Sequence, residues 1–218
     1  MKTKTIVICI VLLFAGINAS IAQQKKGLLW EISGNGLQQP AYLFGTVHLY
    51  DTTQYKLPQL PADLLNKVNK VYFEMDFSRI DQAEMMAGMI IKDTTQYLDK
   101  LLDTASLASL HTLSASSPML KMLGKKIYAV KPLIMMSWIS ASSTKSATVD
   151  FELFRQLMAQ NKPIGGLETP KDQMAAIDAV PLPKQAEMLK RALDKNFSLD
   201  QQISRLTDVY TKQELDDL

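Results

Sequence analysis

The chain has 218 residues, 47% of them hydrophobic and 21% charged, with a formal net charge of +2. This composition suits one globular domain with a real core. It excludes a compositionally disordered chain, and the absence of any basic run excludes an electrostatic footprint for nucleic acid.

The N-terminus reads as an export signal. Lys2 and Lys4 precede an apolar run from Ile6 to Ala15, which is too short to span a bilayer comfortably. Ser20-Ile21-Ala22 then supplies a small-x-small cleavage pattern. Residues 1–22 are expected to be a signal peptide cut after Ala22, placing the protein in the periplasm or outside the cell. The single cysteine, Cys9, leaves with that segment, so no disulfide or thiolate site is expected. About 195 near-neutral residues remain, enough for one domain, and none of their segments is apolar and long enough to span a membrane. That domain is expected to cover residues 27–218.

In chain order, residues 27–33 alternate as a strand, with Leu28, Trp30 and Ile32 against Leu29 and Glu31. Gly34-Asn35-Gly36 is a turn signal, and Ala41 to Val47 forms the return strand of a hairpin. A helix from about Ala62 to Asn69 leads to a third strand, Val71 to Asp76. The strand–helix–strand order implies a parallel pairing and an α/β core. Helical spacing then covers Asp81 to Ile91, Thr95 to Leu102 and Thr104 to Leu113. Further helices open at Ser117-Pro118, ending at Gly124, and at Lys131-Pro132. An amphipathic helix spans Asp150 to Gln160. Ile164 to Leu167 is a short strand ending at Glu168, and Thr169-Pro170 caps the next helix. Helices at Pro181 to Leu193 and in the polar tail complete the chain. The expected fold is therefore α/β: a small mixed sheet with an N-terminal hairpin, strands ending in the site residues, and a large helical middle section.

Three polar residues share one placement. His48, Glu74 and Glu168 each close a predicted strand, where open α/β sheets bind ligands. One imidazole with two carboxylates suits a divalent metal, or general acid–base work without one. Asp76 lies on the same strand face as Glu74, with Met75 on the other. Bland alternatives stay open at each position. A lone strand-end histidine is more often a hydrogen-bonded structural residue, Glu-x-Asp is often a solvated terminus, and Glu168 could serve only to cap the next helix. His111 lies within a helical pattern and reads as surface or packing. Methionines such as Met85, Met86 and Met89 read as core filler rather than copper ligands.

Three blocks in order, LLWEISGNGLQQPAYLFGTVHL, VYFEMDF and VDFELFRQLMAQNKPIGGLETPKDQ, resemble the TraB/GumN family, which includes the similar metal-dependent proteases called Tiki proteins. The family's first G-x-x-H motif falls on Gly45 to His48, its acidic strand end on Glu74 with Asp76 beside it, and its Gly-Leu-Glu-Thr block on Gly166 to Thr169, followed by Gln173. Asp150 matches the aspartate that opens the preceding helix. The family pattern also has a second G-x-x-H on a late strand, with an arginine–asparagine pair shortly before it. Neither occurs here up to Leu218, so the domain is expected to be C-terminally short. The resemblance implies an exported hydrolase or peptidase that uses a divalent metal of the manganese, zinc or cobalt type. His48, Glu74 and Glu168 would be its catalytic residues, and His48, Glu74 and Asp76 its metal ligands. Its substrate would be a peptide or another small extracytoplasmic molecule. With the second histidine absent, weak metal affinity and reduced or absent activity are expected. The alternative is a non-catalytic metal- or haem-binding or regulatory module of the same fold.

Overall fold

A computed structural model of the chain describes residues 27–50, 55–56, 58–61, 63–143, 148–194 and 196–213. The expected signal peptide lies outside the described residues.

The hairpin forms as the turn chemistry requires. Strands β1 (Leu29–Ile32) and β2 (Ala41–Phe44) pair antiparallel, with Leu29 opposite Phe44 and Ile32 opposite Ala41. Gly34, Asn35 and Gly36 all take positive φ values, which glycine and asparagine tolerate best. The return strand is shorter than its sequence suggests. It stops at Phe44, although Gly45 N–H still donates to the Leu28 carbonyl at 2.8 Å. Thr46 to His48 form a loop beyond it, so His48 sits four residues past the strand rather than at its end.

Helix α1 (Leu64–Lys67) precedes β3 (Val71–Met75). The parallel pairing involves β3, but its partner is β4 (Ile164–Glu168), with Val71 opposite Ile164 and Met75 opposite Glu168. The described strands thus form two separate pairs, β1–β2 and β3–β4. Between β3 and β4 run α2 (Gln82–Gly88), α3 (Leu98–Leu101), α4 (Thr104–Ser116), α5 (Pro118–Leu123), α6 (Pro132–Ser143) and α7 (Val149–Ala159), with 3-10 turns at Thr94–Gln96 and Gly124–Ala129. After β4 come α8 (Pro170–Asp178), α9 (Leu182–Leu193) and α10 (Leu199–Lys212). The α/β reading with a large helical section therefore holds.

Local chemistry explains the helix starts. Asp81, Asp103 and Ser117 accept backbone N–H groups at the N-termini of α2, α4 and α5. Thr169 and Asp172 form a reciprocal capping box on α8, with Pro170 in its first turn. Gly124, with φ of 51°, ends α5.

Two apolar clusters hold the fold. The larger lies among the helices, where Leu98, Leu110, Val130, Met135 and Leu189 are almost wholly buried. Helix α9 contributes the 3–4 stripe Gln185, Ala186, Leu189 and Leu193. Gln185 is the polar exception. Its Nε2 donates to the carbonyls of Ile177 at 2.9 Å and Val180 at 2.7 Å, tying α9 to the end of α8. The smaller cluster joins Leu28, Tyr50, Val149 and Tyr210, and it sits beneath the His48 loop. There α10 grips the hairpin: Tyr210 Oη donates to the Gly45 carbonyl at 2.7 Å, and Leu28 N–H donates to Gln213 Oε1 at 3.2 Å.

Candidate functional site

His48 is delivered by the loop after β2, and that loop is fixed from two sides. From below, Tyr210 holds the Gly45 carbonyl. From the side, Thr46 Oγ1 donates to Asp150 Oδ1 at 2.9 Å. Asp150 is the second residue of α7, in a first turn whose N-cap is Thr148, where a carboxylate also interacts favourably with the helix dipole.

The imidazole lies between two carboxylates. Nε2 is 3.2 Å from Glu74 Oε2, and Nδ1 is 3.6 Å from Asp150 Oδ2. The two flanks differ in solvation: the Glu74 side chain is 52% exposed and that of Asp150 only 9%. At 3.6 Å the second contact is too long for a hydrogen bond and is a charge pairing only when His48 is protonated, and the buried Asp150 Oδ2 has no hydrogen-bond partner. Asp150 contributes most to raising the His48 pKa above its ordinary value; burial opposes the shift and Glu74 adds to it. For Asp150, burial is the largest single influence and pushes its pKa up. The contacts with His48 and Thr46 together outweigh burial and hold it below the usual carboxylate value. Burial, with the Asp150 charge behind it, pushes the Tyr210 hydroxyl pKa well up, so this residue stays neutral while it braces Gly45.

The other sequence candidates go elsewhere. Asp76 follows β3 and folds back on its own turn. Its Oδ1 accepts from Ser78 N–H at 3.0 Å and from Ser78 Oγ at 2.5 Å, and its Oδ2 lies 3.7 Å from Arg79 Nε. Glu168 ends β4 exposed and accepts from Gln173 Nε2 at 2.5 Å. The structure brings His48 and Glu74 together and leaves Asp76 and Glu168 in local contacts. His111 bonds Tyr128 Oη at 2.5 Å on the surface, in line with a packing role. Of the methionines, Met89 and Met135 fill the core.

Sequence reasoning about the residues missed Asp150 and Thr46 as members of the site. The two are 104 positions apart, so no local spacing could join them. The only available signal was the alignment of Asp150 with an aspartate of the resembled family.

A divalent cation fits part of this arrangement. Two donors bonded to one zinc at about 2.1 Å stand roughly 3.0–3.4 Å apart, which is the His48–Glu74 spacing. Imidazole nitrogen with carboxylate oxygen is also a suitable donor pair for such ions. Among the described residues, however, no group of three or more His, Cys, Asp or Glu side chains is arranged to hold a metal. The fit is to a two-donor site that faces solvent. Cavities of about 600 Å³ beside Lys131 and Asp178, and about 1160 Å³ beside α4 and α9, lie away from it.

Residues 28–218 match the model of the TraB/PrgY/gumN family. The chain belongs to this family. The matched stretch includes both strand pairs and helices α1 to α10, and with them His48, Glu74 and Asp150. No curated protein and no solved structure matches the chain. Among the described residues, no helix is long and apolar enough to cross a membrane.

Proposed function

We propose that this TraB/PrgY/gumN-family chain is exported and that its His48 site is a divalent-metal-dependent hydrolase of the peptidase type. The substrate would be a peptide or another small extracytoplasmic molecule. The observation that best supports this reading is the single imidazole set between two carboxylates, with Glu74 at Nε2 on the solvent side and Asp150 buried at Nδ1. His48 Nε2 and Glu74 Oε2 would hold the cation, of the manganese, zinc or cobalt type. Such a cation would supply Lewis acidity and make a bound water more acidic. The chain's own residues would do the rest. Glu74, half exposed, would serve as a ligand or as the base for a bound water. Tyr210 and Thr46 would brace the backbone from Gly45 to His48 that carries the imidazole.

One observation favours a second reading. Only two donors gather among the described residues, and a catalytic zinc usually has three protein ligands. A binding or regulatory module would keep the cation and hydrolyse nothing, and a haem-binding form would use His48 as an axial ligand. The test is manganese or zinc uptake by the purified protein, compared with His48→Ala. Loss of uptake in the variant is expected. Equal uptake in both proteins would overturn the metal site. Uptake without hydrolysis of a peptide library would favour the module, and a Soret change on haem titration would select its haem form.

A further inference from the structure

We propose that Asp150, clamped by Thr46, is a positioning residue that keeps the proton of the neutral His48 ring on Nδ1 and so turns the Nε2 lone pair toward Glu74 and any cation held there. The proposal rests on the reading of His48 Nε2 as the ligating atom.

Asp150 is 6% exposed, and its Oδ2 has no hydrogen-bond partner. A buried carboxylate oxygen left without a donor carries an uncompensated desolvation cost. Its other oxygen, Oδ1, is occupied by Thr46 Oγ1 at 2.9 Å, which fixes the plane of the group. The donor facing Oδ2 is His48 Nδ1 at 3.6 Å, so a ring shift of under about 1 Å would complete the bond.

A neutral imidazole has one N–H and two carboxylates competing for it. Glu74 is closer, at 3.2 Å against 3.6 Å. Asp150 nevertheless has the stronger claim, because it is buried where charges are screened less, whereas water solvates the half-exposed Glu74. With the proton on Nδ1, Nε2 presents its lone pair to Glu74 Oε2. That contact is repulsive when empty and becomes favourable when a cation lies between them. Asp150 would thus act through His48, as an outer carboxylate does on a ligating histidine.

The chain has only two histidines, so its ring-nitrogen spectrum is simple, and His111 serves as an internal control. The experiment is a long-range proton–nitrogen correlation on metal-free full-length protein at about pH 9, above the usual histidine range. In the wild type, His48 is expected mainly as the Nδ1–H tautomer. In Asp150→Ala and Asp150→Asn it should shift toward Nε2–H, with a smaller shift in Thr46→Val, while His111 stays unchanged. A wild-type His48 that is mainly Nε2–H would overturn the proposal even if every variant failed to fold. A folded Asp150→Ala with an unchanged tautomer would also overturn it. A zinc titration separates the role of Asp150 from metal binding at His48. A fall in zinc affinity of about 10–100-fold in Asp150→Asn would support the positioning role, and equal affinity would count against it. A wild type that shows the Nδ1–H tautomer but takes up no zinc would sink the metal reading and leave Asp150's role intact.

Discussion

Replacing Gly166 by alanine should destabilise the protein much more than the same change at its neighbour Gly165. A Cβ on Gly166 would lie 2.6 Å from the Asp76 backbone nitrogen, and 3.1 Å from both the Glu168 carbonyl oxygen and the Met75 carbonyl carbon. All three are backbone atoms: the Asp76 and Met75 contacts are relieved only if the β3 end and β4 move apart, and the Glu168 contact lies within β4 itself. Overpacking of this kind costs about 1–3 kcal/mol. For a chain of this size that lowers Tm by about 2–12 °C. A Cβ on Gly165 meets the Tyr72 ring at 2.9 Å and Lys70 Cε at 3.0 Å. Tyr72 is 54% exposed, so its ring can swing away. The main loss is then the Lys70–Tyr72 cation–π contact at 4.5 Å, worth about 0.5–1 kcal/mol at an exposed site. Thermal unfolding of the three proteins, followed by far-ultraviolet circular dichroism, gives the comparison. A Gly165→Ala variant that melts as low as Gly166→Ala would refute the reasoning. Glu74 adjoins Met75 on β3, so the Gly166 change should also displace it from His48 and weaken zinc uptake, and the Gly165 change should not.

Two further outcomes follow from the same contacts. Gln185→Leu, at a site that is 1% exposed, removes the donor to the Val180 carbonyl, while the Ile177 carbonyl keeps the Val180 N–H at 3.2 Å, and should cost about 1–3 kcal/mol in urea unfolding; a loss below about 0.5 kcal/mol would show that the Val180 carbonyl finds another partner. The His48 cluster predicts a pH dependence with a definite sign. The raised His48 value means its contribution is full below the unfolded value of 6.5 and is lost as pH rises through the folded value. The lowered Asp150 value means its contribution is present above 3.8 and is lost as pH falls through its folded value. Between about pH 5 and about pH 8, in chelator, the metal-free wild type should therefore lose stability relative to His48→Ala, and parallel curves for the two proteins would contradict the pairing.

Local signals located nearly every element because each carries its own chemistry. Gly34-Asn35-Gly36 is a turn whatever surrounds it, since positive φ values suit those residues. Thr169-Pro170 with Asp172 starts a helix for reasons that lie within four residues. Boundaries were less legible. The apolar run Ala41 to Val47 reads as one strand, but pairing with β1 supports only Ala41 to Phe44. Beyond that point Thr46 bonds Asp150 and leaves the ladder, and this contact cannot be read from the run itself.

The sequence by itself determined the turns, the helix caps, the apolar stripes and the family, and it singled out His48 and Glu74 as the residues to follow. Each of these depends on side chains close in the chain or on motifs read in order. Only the tertiary structure decided which carboxylates reach the histidine. Asp76 and Glu168 carry the same charge as Glu74 and stand in equally suggestive places, but each is taken by a neighbour within five residues. Asp150, about a hundred positions from His48, is buried against it instead. Partner choice at the site depends on how α7 and α10 pack against the hairpin loop, and that packing sums many weak long-range contacts that no short stretch of chain encodes.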